Sequence, residues 1–270
     1  MNANVQDVVV LLGDSITEFG WDPHGLSQRL AQAYARKFDV INRGFSGYNT
    51  EWIIPVFEQF FAKSQDQAHL PKVQLLTIWF GANDACIPPE PQHVPLDAFT
   101  TNLSKLVNFV KSPDSPYYSP STRVVLITPP PVYSKQWNET LVGQGGEPQG
   151  RSLDSSHRYA EAVKEVGKKE GVPVVDAWTG IWEAAGKVEE ALRKYLSDGL
   201  HVNANGYADR NFGLTFGTQV VYDGLLKAIS ENYPAIHPEA LQFVFAPFDE
   251  VQESQNRSET LIKRNAFVTK

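Results

Sequence analysis

Five short apolar runs, at residues 7–12, 38–42, 73–79, 123–128 and 172–176, alternate along the chain with stretches whose apolar residues recur at helical spacing. That alternation limits the fold more than any other feature. It is the pattern of a parallel sheet with helices on both faces, because parallel strands are joined by crossovers that cover the sheet. The expected architecture is a three-layer α/β sandwich whose five-stranded parallel sheet has the flavodoxin-like order 2-1-3-4-5, with sites at the carboxyl ends of the strands. Residues 26–37 place Leu26, Leu30, Ala33 and Tyr34 on one helical face. Residues 97–110 do the same with Phe99, Leu103, Leu106, Val107 and Val110. The pattern over 152–170 carries Tyr159, Val163 and Val166 and stops at Gly171. A helix over 50–62 would have Pro55 inside it, against the usual rule.

The first run leads into Leu11-Leu12-Gly13-Asp14-Ser15-Ile16-Thr17-Glu18. A strand that ends in Gly-Asp-Ser and turns into a helix exposes a serine hydroxyl above the sheet edge, which makes Ser15 the candidate nucleophile. Taken alone, the tripeptide also reads as a helix entry with Ser15 as the N-cap. Asn42-Arg43-Gly44-Phe45-Ser46-Gly47 follows the second run, and Gly81-Ala82-Asn83-Asp84 follows the third. Thr128-Pro129-Pro130-Pro131-Val132-Tyr133 follows the fourth and is expected to wall the site. Segments far apart in sequence thus converge at one sheet edge. Asp198-Gly199-Leu200-His201 lies further on. A free hydroxyl is a poor nucleophile at neutral pH, so Ser15 needs a base. His201 is the candidate, and Asp198, three residues earlier, is spaced to fix its tautomer and stabilise the imidazolium.

The Gly-Asp-Ser turn, the Asn-Arg-Gly-Phe-Ser-Gly segment, Gly-Ala-Asn-Asp and Asp-Gly-Leu-His together resemble the GDSL esterases and lipases, also called SGNH hydrolases. Within that family the stretches 13–18, 42–50 and 80–84, with Gln92-His93-Val94-Pro95-Leu96, look like the isoamyl acetate-hydrolysing esterase branch. The resemblance covers about 6–207 and resumes near 220. It implies an oxyanion hole made by the backbone N–H groups of Ser15 and Gly44 and the side-chain amide of Asn83. A glycine permits close backbone approach, and an amide donates without a titrating charge. Asp14 and Asp84 read as carboxylates that fix loops, and Glu18 and Arg43 as a pair at the mouth or as solvated charges. Phe19, Trp21, Phe45, Tyr48, Trp79 and Phe80 are placed to line an apolar pocket; aromatics at strand ends are more commonly core, so two or three are expected to touch substrate, with Phe19, Phe45 and Trp79 the candidates.

Composition narrows the chemistry. With 31 acidic and 24 basic residues the net charge is −7, which favours neither nucleic acid nor an anionic membrane as a partner. No run reaches the roughly 20 apolar residues of a membrane span, so no stable membrane association is expected. The six histidines are scattered without metal-ligand spacing, and neither metal nor cofactor is expected. Residues 1–7 lack the basic and apolar regions of a signal peptide, and the one cysteine, Cys86, fits a reducing compartment; the expected location is the cytoplasm. Cys86 has no basic neighbour to activate it and reads as a small hydrophobe.

The hydrolase domain is expected over 1–240, with an insertion at about 208–218 before a helical pattern at 220–229. Residues 143–151, rich in glycine, are expected to form a mobile loop. Residues 241–270 open with an apolar patch expected to fold back on the domain or to mediate self-association as a homodimer, and end in a polar tail. The reading that unites these features is a serine carboxylesterase acting on small neutral esters through an acyl-enzyme. By the resemblance, the esters are acetates of short or branched alcohols. A lipid or thioester hydrolase of the same fold is the rival within enzymes, and a catalytically silent binding protein is the rival outside them.

Overall fold

The computed structural model describes residues 6–203 and 217–268. The insertion expected at 208–218 lies outside them, apart from its last two positions, which open a helix. The strands are β1 (Val8–Gly13), β2 (Asp39–Gly44), β3 (Val73–Trp79), β4 (Arg123–Ile127) and β5 (Val174–Val175). All pair in parallel, in the order β2-β1-β3-β4-β5. The eight helices that matter for the site are α1 (Ser15–Glu18), α2 (Leu26–Ala33), α3 (Thr50–Phe60), α4 (Leu96–Lys111), α5 (Ser134–Gly143), α6 (Leu153–Glu170), α7 (Ala177–Ala184) and α8 (Gly217–Asn232).

The centre of the sheet is buried on both sides because successive side chains point to opposite faces. Val9 and Leu11 of β1 enter a core shared with Leu30 of α2, Ile181 of α7 and Leu225 of α8. Val8, Val10 and Leu12 enter a second core with Phe57 of α3, Leu103 of α4 and Val163 of α6. The stripe Phe99, Leu103, Leu106, Val107 and Val110 of α4 is fully buried, each side chain contributing about 1.5–3 kcal/mol. Edge strand β2 is half-exposed.

Pro55 does not prevent α3. Its ring lies on the exposed side, while Ile53 and Phe57 bury the other face and Asn49 caps the start by accepting the Trp52 N–H at 2.9 Å. The helix expected over 26–37 stops at Ala33 because the chain turns back, with Arg36 at φ 63°. β5 is shorter than expected because Asp176 leaves the strand to cap α7, accepting the Thr179 N–H at 3.0 Å. The segment 143–151 is not a free loop. Residues 144–148 are exposed, but the Gln149 N–H donates to Asn138 Oδ1 at 3.0 Å and the Ile87 N–H to the Gly150 carbonyl at 2.8 Å.

The segment after 240 packs against the rest of the chain. Leu241, Val244, Ala246 and Ala266 join the α2–α8 core, and the Val244 N–H donates to the Arg36 carbonyl at 2.9 Å. The apolar patch thus folds back on the turn after α2. Among the described residues no helix is long and apolar enough to cross a membrane.

Candidate active site

Strand register sets Gly13 level with Gly44 on one side and Trp79 on the other, so the loops after β1, β2 and β3 leave the sheet side by side. Asp14, not Ser15, caps α1: its carboxylate accepts the Ile16 N–H at 2.9 Å. Ser15 is the first helical residue, and an N–H in that position has no partner within its helix. A side chain on Gly13 would lie 2.7 Å from the Trp79 carbonyl, and one on Gly44 would lie 2.1 Å from the Glu18 nitrogen. Those two glycines let α1 enter between its neighbouring loops.

The structure brings Ser15, His201 and Asp198 together. Ser15 Oγ is 2.8 Å from His201 Nε2, and His201 Nδ1 is 2.6 Å from Asp198 Oδ2. The carboxylate can only accept, so Nδ1–H donates to it, and Nε2 is left to accept the serine proton. The other oxygen, Asp198 Oδ1, accepts the backbone N–H groups of Leu200 and His201 at 2.9 and 2.8 Å, which closes the three-residue spacing into a tight turn. Gly199 makes the turn fit. It holds φ 97°, and a Cβ there would meet the Tyr133 carbonyl and the Trp137 nitrogen, each at 2.6 Å. The Tyr133 N–H in turn donates to the Gly199 carbonyl at 2.8 Å, so the end of the proline-rich segment docks on this turn. Phe19 and Trp137 approach the imidazole edge-on, with ring centres at 5.5 and 5.9 Å.

Asn83, in the loop that follows β3, is buried. Its Nδ2 donates to the Tyr48 carbonyl at 2.8 Å and its Oδ1 accepts from Arg151 Nη2 at 3.0 Å. Both contacts demand the same amide orientation, and they leave the second Nδ2–H to point elsewhere. Gly44 differs from expectation: its N–H already donates to Asn42 Oδ1 at 2.8 Å, so it is not a spare donor. Further along that loop, the N–H groups of Phe45, Ser46 and Tyr48 are bonded to Gly13, Glu18 and Phe45. Gly47, at φ 80°, has an N–H without an acceptor among the described residues, while its carbonyl is held by Gln92 Nε2 at 2.8 Å.

Gln92, Gln149, Arg151 and Trp137 carried no assigned role in the sequence reading. Gln92 stands in the Gln-His-Val-Pro-Leu stretch and joins the loops: its Oε1 accepts from Gln149 Nε2 at 2.9 Å and its backbone carbonyl accepts from Asn49 Nδ2 at 3.0 Å. Arg151 is a lone basic residue at the end of a glycine-rich segment, and no spacing rule singles it out.

Burial pushes the Asp14 carboxyl up to about 7 and that of Asp84 up to about 6. Both hold loops as expected, Asp84 by accepting the N–H and hydroxyl of Thr50 at 2.9 and 2.5 Å. For Asp198, burial acts upward, but the hydrogen bond and charge of His201 hold it below the usual carboxylate value. Burial pushes the Cys86 thiol up to about 11, as suits an inert thiol. Glu18 makes no ion pair with Arg43 among the described residues; it accepts the Ser46 N–H at 2.6 Å, while Arg43 bonds the Asn42 carbonyl at 3.1 Å.

Of the candidate substrate aromatics, Phe19 is half-exposed beside His201. Trp79 is buried with its Nε1 donating to the Thr128 carbonyl at 2.9 Å, and Phe45 packs on Tyr48 against the α3 core. A cavity of about 80 Å³ opens between Ile16, Phe19, Leu26, Trp79 and His201, so Trp79 reaches it only as a wall. A larger apolar cavity of about 470 Å³ lies under β2, between Val10, Ile41, Phe61 and Leu70, away from Ser15. Among the described residues no group of three or more His, Cys, Asp or Glu is arranged to hold a metal ion.

A parallel sheet in this order with such a cluster at its carboxyl edge has close relatives. The family model of the GDSL-like lipase/acylhydrolases matches residues 11–208. The chain belongs to that family and is a carboxylic ester hydrolase. It is similar to a rat protein named isoamyl acetate-hydrolyzing esterase 1 homolog, with 38% identity over 73% of this chain and 76% of that one. It is also 30% identical to the Saccharomyces cerevisiae isoamyl acetate-hydrolyzing esterase, over 87% of this chain and 90% of the other. Among solved structures, an acetylxylan esterase from Geobacillus stearothermophilus shares the fold with a TM-score of 0.56 at 17% identity, covering 84% of this chain and 96% of that one.

Proposed function

We infer that the chain hydrolyses small neutral carboxylic esters, with acetates of short or branched alcohols as the preferred class, through an acyl-enzyme on Ser15. The observation that carries this reading is the unbroken chain of hydrogen bonds from Ser15 Oγ through His201 to Asp198. Ser15 Oγ attacks the ester carbonyl carbon and its proton passes to His201 Nε2, with Asp198 stabilising the imidazolium. The tetrahedral oxyanion is held by the Ser15 N–H, the free Asn83 Nδ2–H and the Gly47 N–H, which replaces the donor expected from Gly44. Collapse breaks the bond to the alcohol oxygen, which leaves with the proton from Nε2. Water then repeats the sequence on the acyl-enzyme and releases the carboxylic acid.

The substrate class rests on two further observations. The cavity beside His201 is far smaller than the roughly 300–1,000 Å³ of sites for drug-sized ligands, which suits a short group on one side of the ester. Relatives named for isoamyl acetate hydrolysis point the same way. Each added CH₂ that finds apolar surface contributes at most about 0.8 kcal/mol, whereas overfilling a closed wall costs about 1–3 kcal/mol. A panel of esters varied independently in acyl and alcohol length tests this. Acetates of four- to six-carbon alcohols should be hydrolysed faster than the hexanoates or decanoates of the same alcohols. Long-chain acyl esters that win by about tenfold or more would transfer the chain to the lipid or thioester hydrolase class.

A further inference from the structure

Arg151 is a buried cation whose acceptors are all neutral. Its side chain is 7% exposed. The guanidinium donates to the Ala82 carbonyl, to Asn83 Oδ1 at 3.0 Å, to Gln149 Oε1 at 3.0 Å and to Gln92 Oε1 at 3.4 Å. It also stands over the Trp137 ring, 5.3 Å from its centre. None of the ion pairs among the described residues includes it. Removing a guanidinium from water without an ion pair is strongly unfavourable, and arginine does not escape by losing its proton. A neutral side chain of similar shape would fill the space without that penalty. The charge therefore calls for a function besides packing.

Its position supplies one. Two contacts orient the Asn83 amide, and the one at the oxygen comes from Arg151. A hydrogen bond from a cation to an amide oxygen also polarises that amide, which makes its N–H groups stronger donors. We propose that Arg151 is the positioning residue of the oxyanion site: it holds Asn83 by its oxygen so that the free Nδ2–H faces the reacting carbonyl, and it sets a permanent positive charge one amide behind the developing oxyanion. A fixed charge in a water-poor site acts without reorganisation when negative charge appears. The proposal rests on the oxyanion role given to Asn83 above.

Steady-state kinetics of the full chain on p-nitrophenyl acetate test it, using Arg151→Met, Asn83→Ala and the double variant. Arg151→Met should lower kcat by about 10- to 100-fold with KM changed by less than about threefold, because the group acts through a donor that strengthens in the transition state. In the Asn83→Ala background the same substitution should cost less than about threefold, since the amide it positions is gone. Arg151→Lys should recover part of the loss, as it keeps the charge but not the forked geometry. Equal losses of kcat in both backgrounds, or a loss confined to KM, overturn the proposal and leave Arg151 as a loop anchor. If Arg151→Met does not fold, Arg151→Lys runs through the same cycle with the same criterion. An Asn83→Ala variant with unchanged kcat would overturn the oxyanion reading itself and this proposal with it, a result distinct from additivity.

Discussion

The two sides of the proposed site are built differently. The His201 side is local and partly open: the proposed base and its orienting carboxylate are three residues apart on one turn, each about one-fifth exposed, and joined by an ion-pair contact of 2.6 Å. The Asn83 side is distributed and more deeply buried. Asn83, Gln92, Gln149 and Arg151 come from three separate stretches and meet through side-chain hydrogen bonds, with Asn83 and Arg151 buried and the two glutamines half-buried. The difference suits the tasks proposed for them. A proton carrier must charge and discharge, which some solvent and a nearby carboxylate permit. A site for a transient oxyanion gains most where water is excluded and the donors are already aimed.

Substitutions on the first side should have the largest effects. Ser15→Ala or His201→Ala should lower turnover by roughly 10⁶ with the fold retained, while Asp198→Ala should cost less, about 10⁴, as expected when base and nucleophile act as a unit. Circular dichroism with burst-free kinetics checks this, and residual activity above about a hundredth of wild type in Ser15→Ala would remove the assignment. On the second side, Asn83→Ala should lower kcat by about 10²–10³, roughly 3–4 kcal/mol, with little change in KM. An effect seen only in KM would mark Asn83 as a binding residue and erase the contrast.

The junction of the two sides can be probed at Gly199. Gly199→Ala forces a side chain onto a positive φ and against the Tyr133 carbonyl, so it should destabilise the chain by about 1–3 kcal/mol and lower kcat by misplacing His201. Thermal unfolding and kinetics on one preparation would show both losses together; stability lost with kcat intact would detach the turn from the chemistry.

The last effect leaves turnover aside and is a slope of stability against pH. Burial raises Asp14 to about 7 from an ordinary 3.8, so between those pH values the folded chain keeps a proton that the unfolded chain has released. Its contribution to stability therefore falls as pH rises from about 4 to about 7. Asp84 adds to the same trend up to about pH 6. Asn caps a helix about as well as Asp. Asp14→Asn should therefore match wild type in Tm near pH 4 and gain on it as pH approaches 7. A difference in Tm that does not change with pH would show that Asp14 is not titrating in that window.

How much of this was legible in the sequence depends on distance along the chain. The five strands, their order and the Asp198–His201 spacing could be read because each depends on neighbours within a few residues, or on the rule that parallel strands carry sites at one edge. α5 and α7 were not foreseen. α5 buries no side chain and so has no apolar stripe, and α7 begins where a short strand ends. The C-terminal patch showed its apolar character but not its resting place against Arg36.

For the oxyanion side, residue types alone were misleading at one point. Gly44 and Gly47 are both glycines in one loop. Only the fold showed that the Gly44 N–H is taken by Asn42 and that Gly44 serves close approach to α1, while the Gly47 N–H has no acceptor among the described residues. The sequence by itself determined the layered sheet and marked Ser15 and His201 as the candidates for nucleophile and base, because hydrophobic period and short spacings are written locally. Tertiary structure alone decided which amide donors are free and that Arg151 stands behind Asn83. A hydrogen bond between residues 68 positions apart leaves no periodic trace, and burial of a charge is a property of the packed chain.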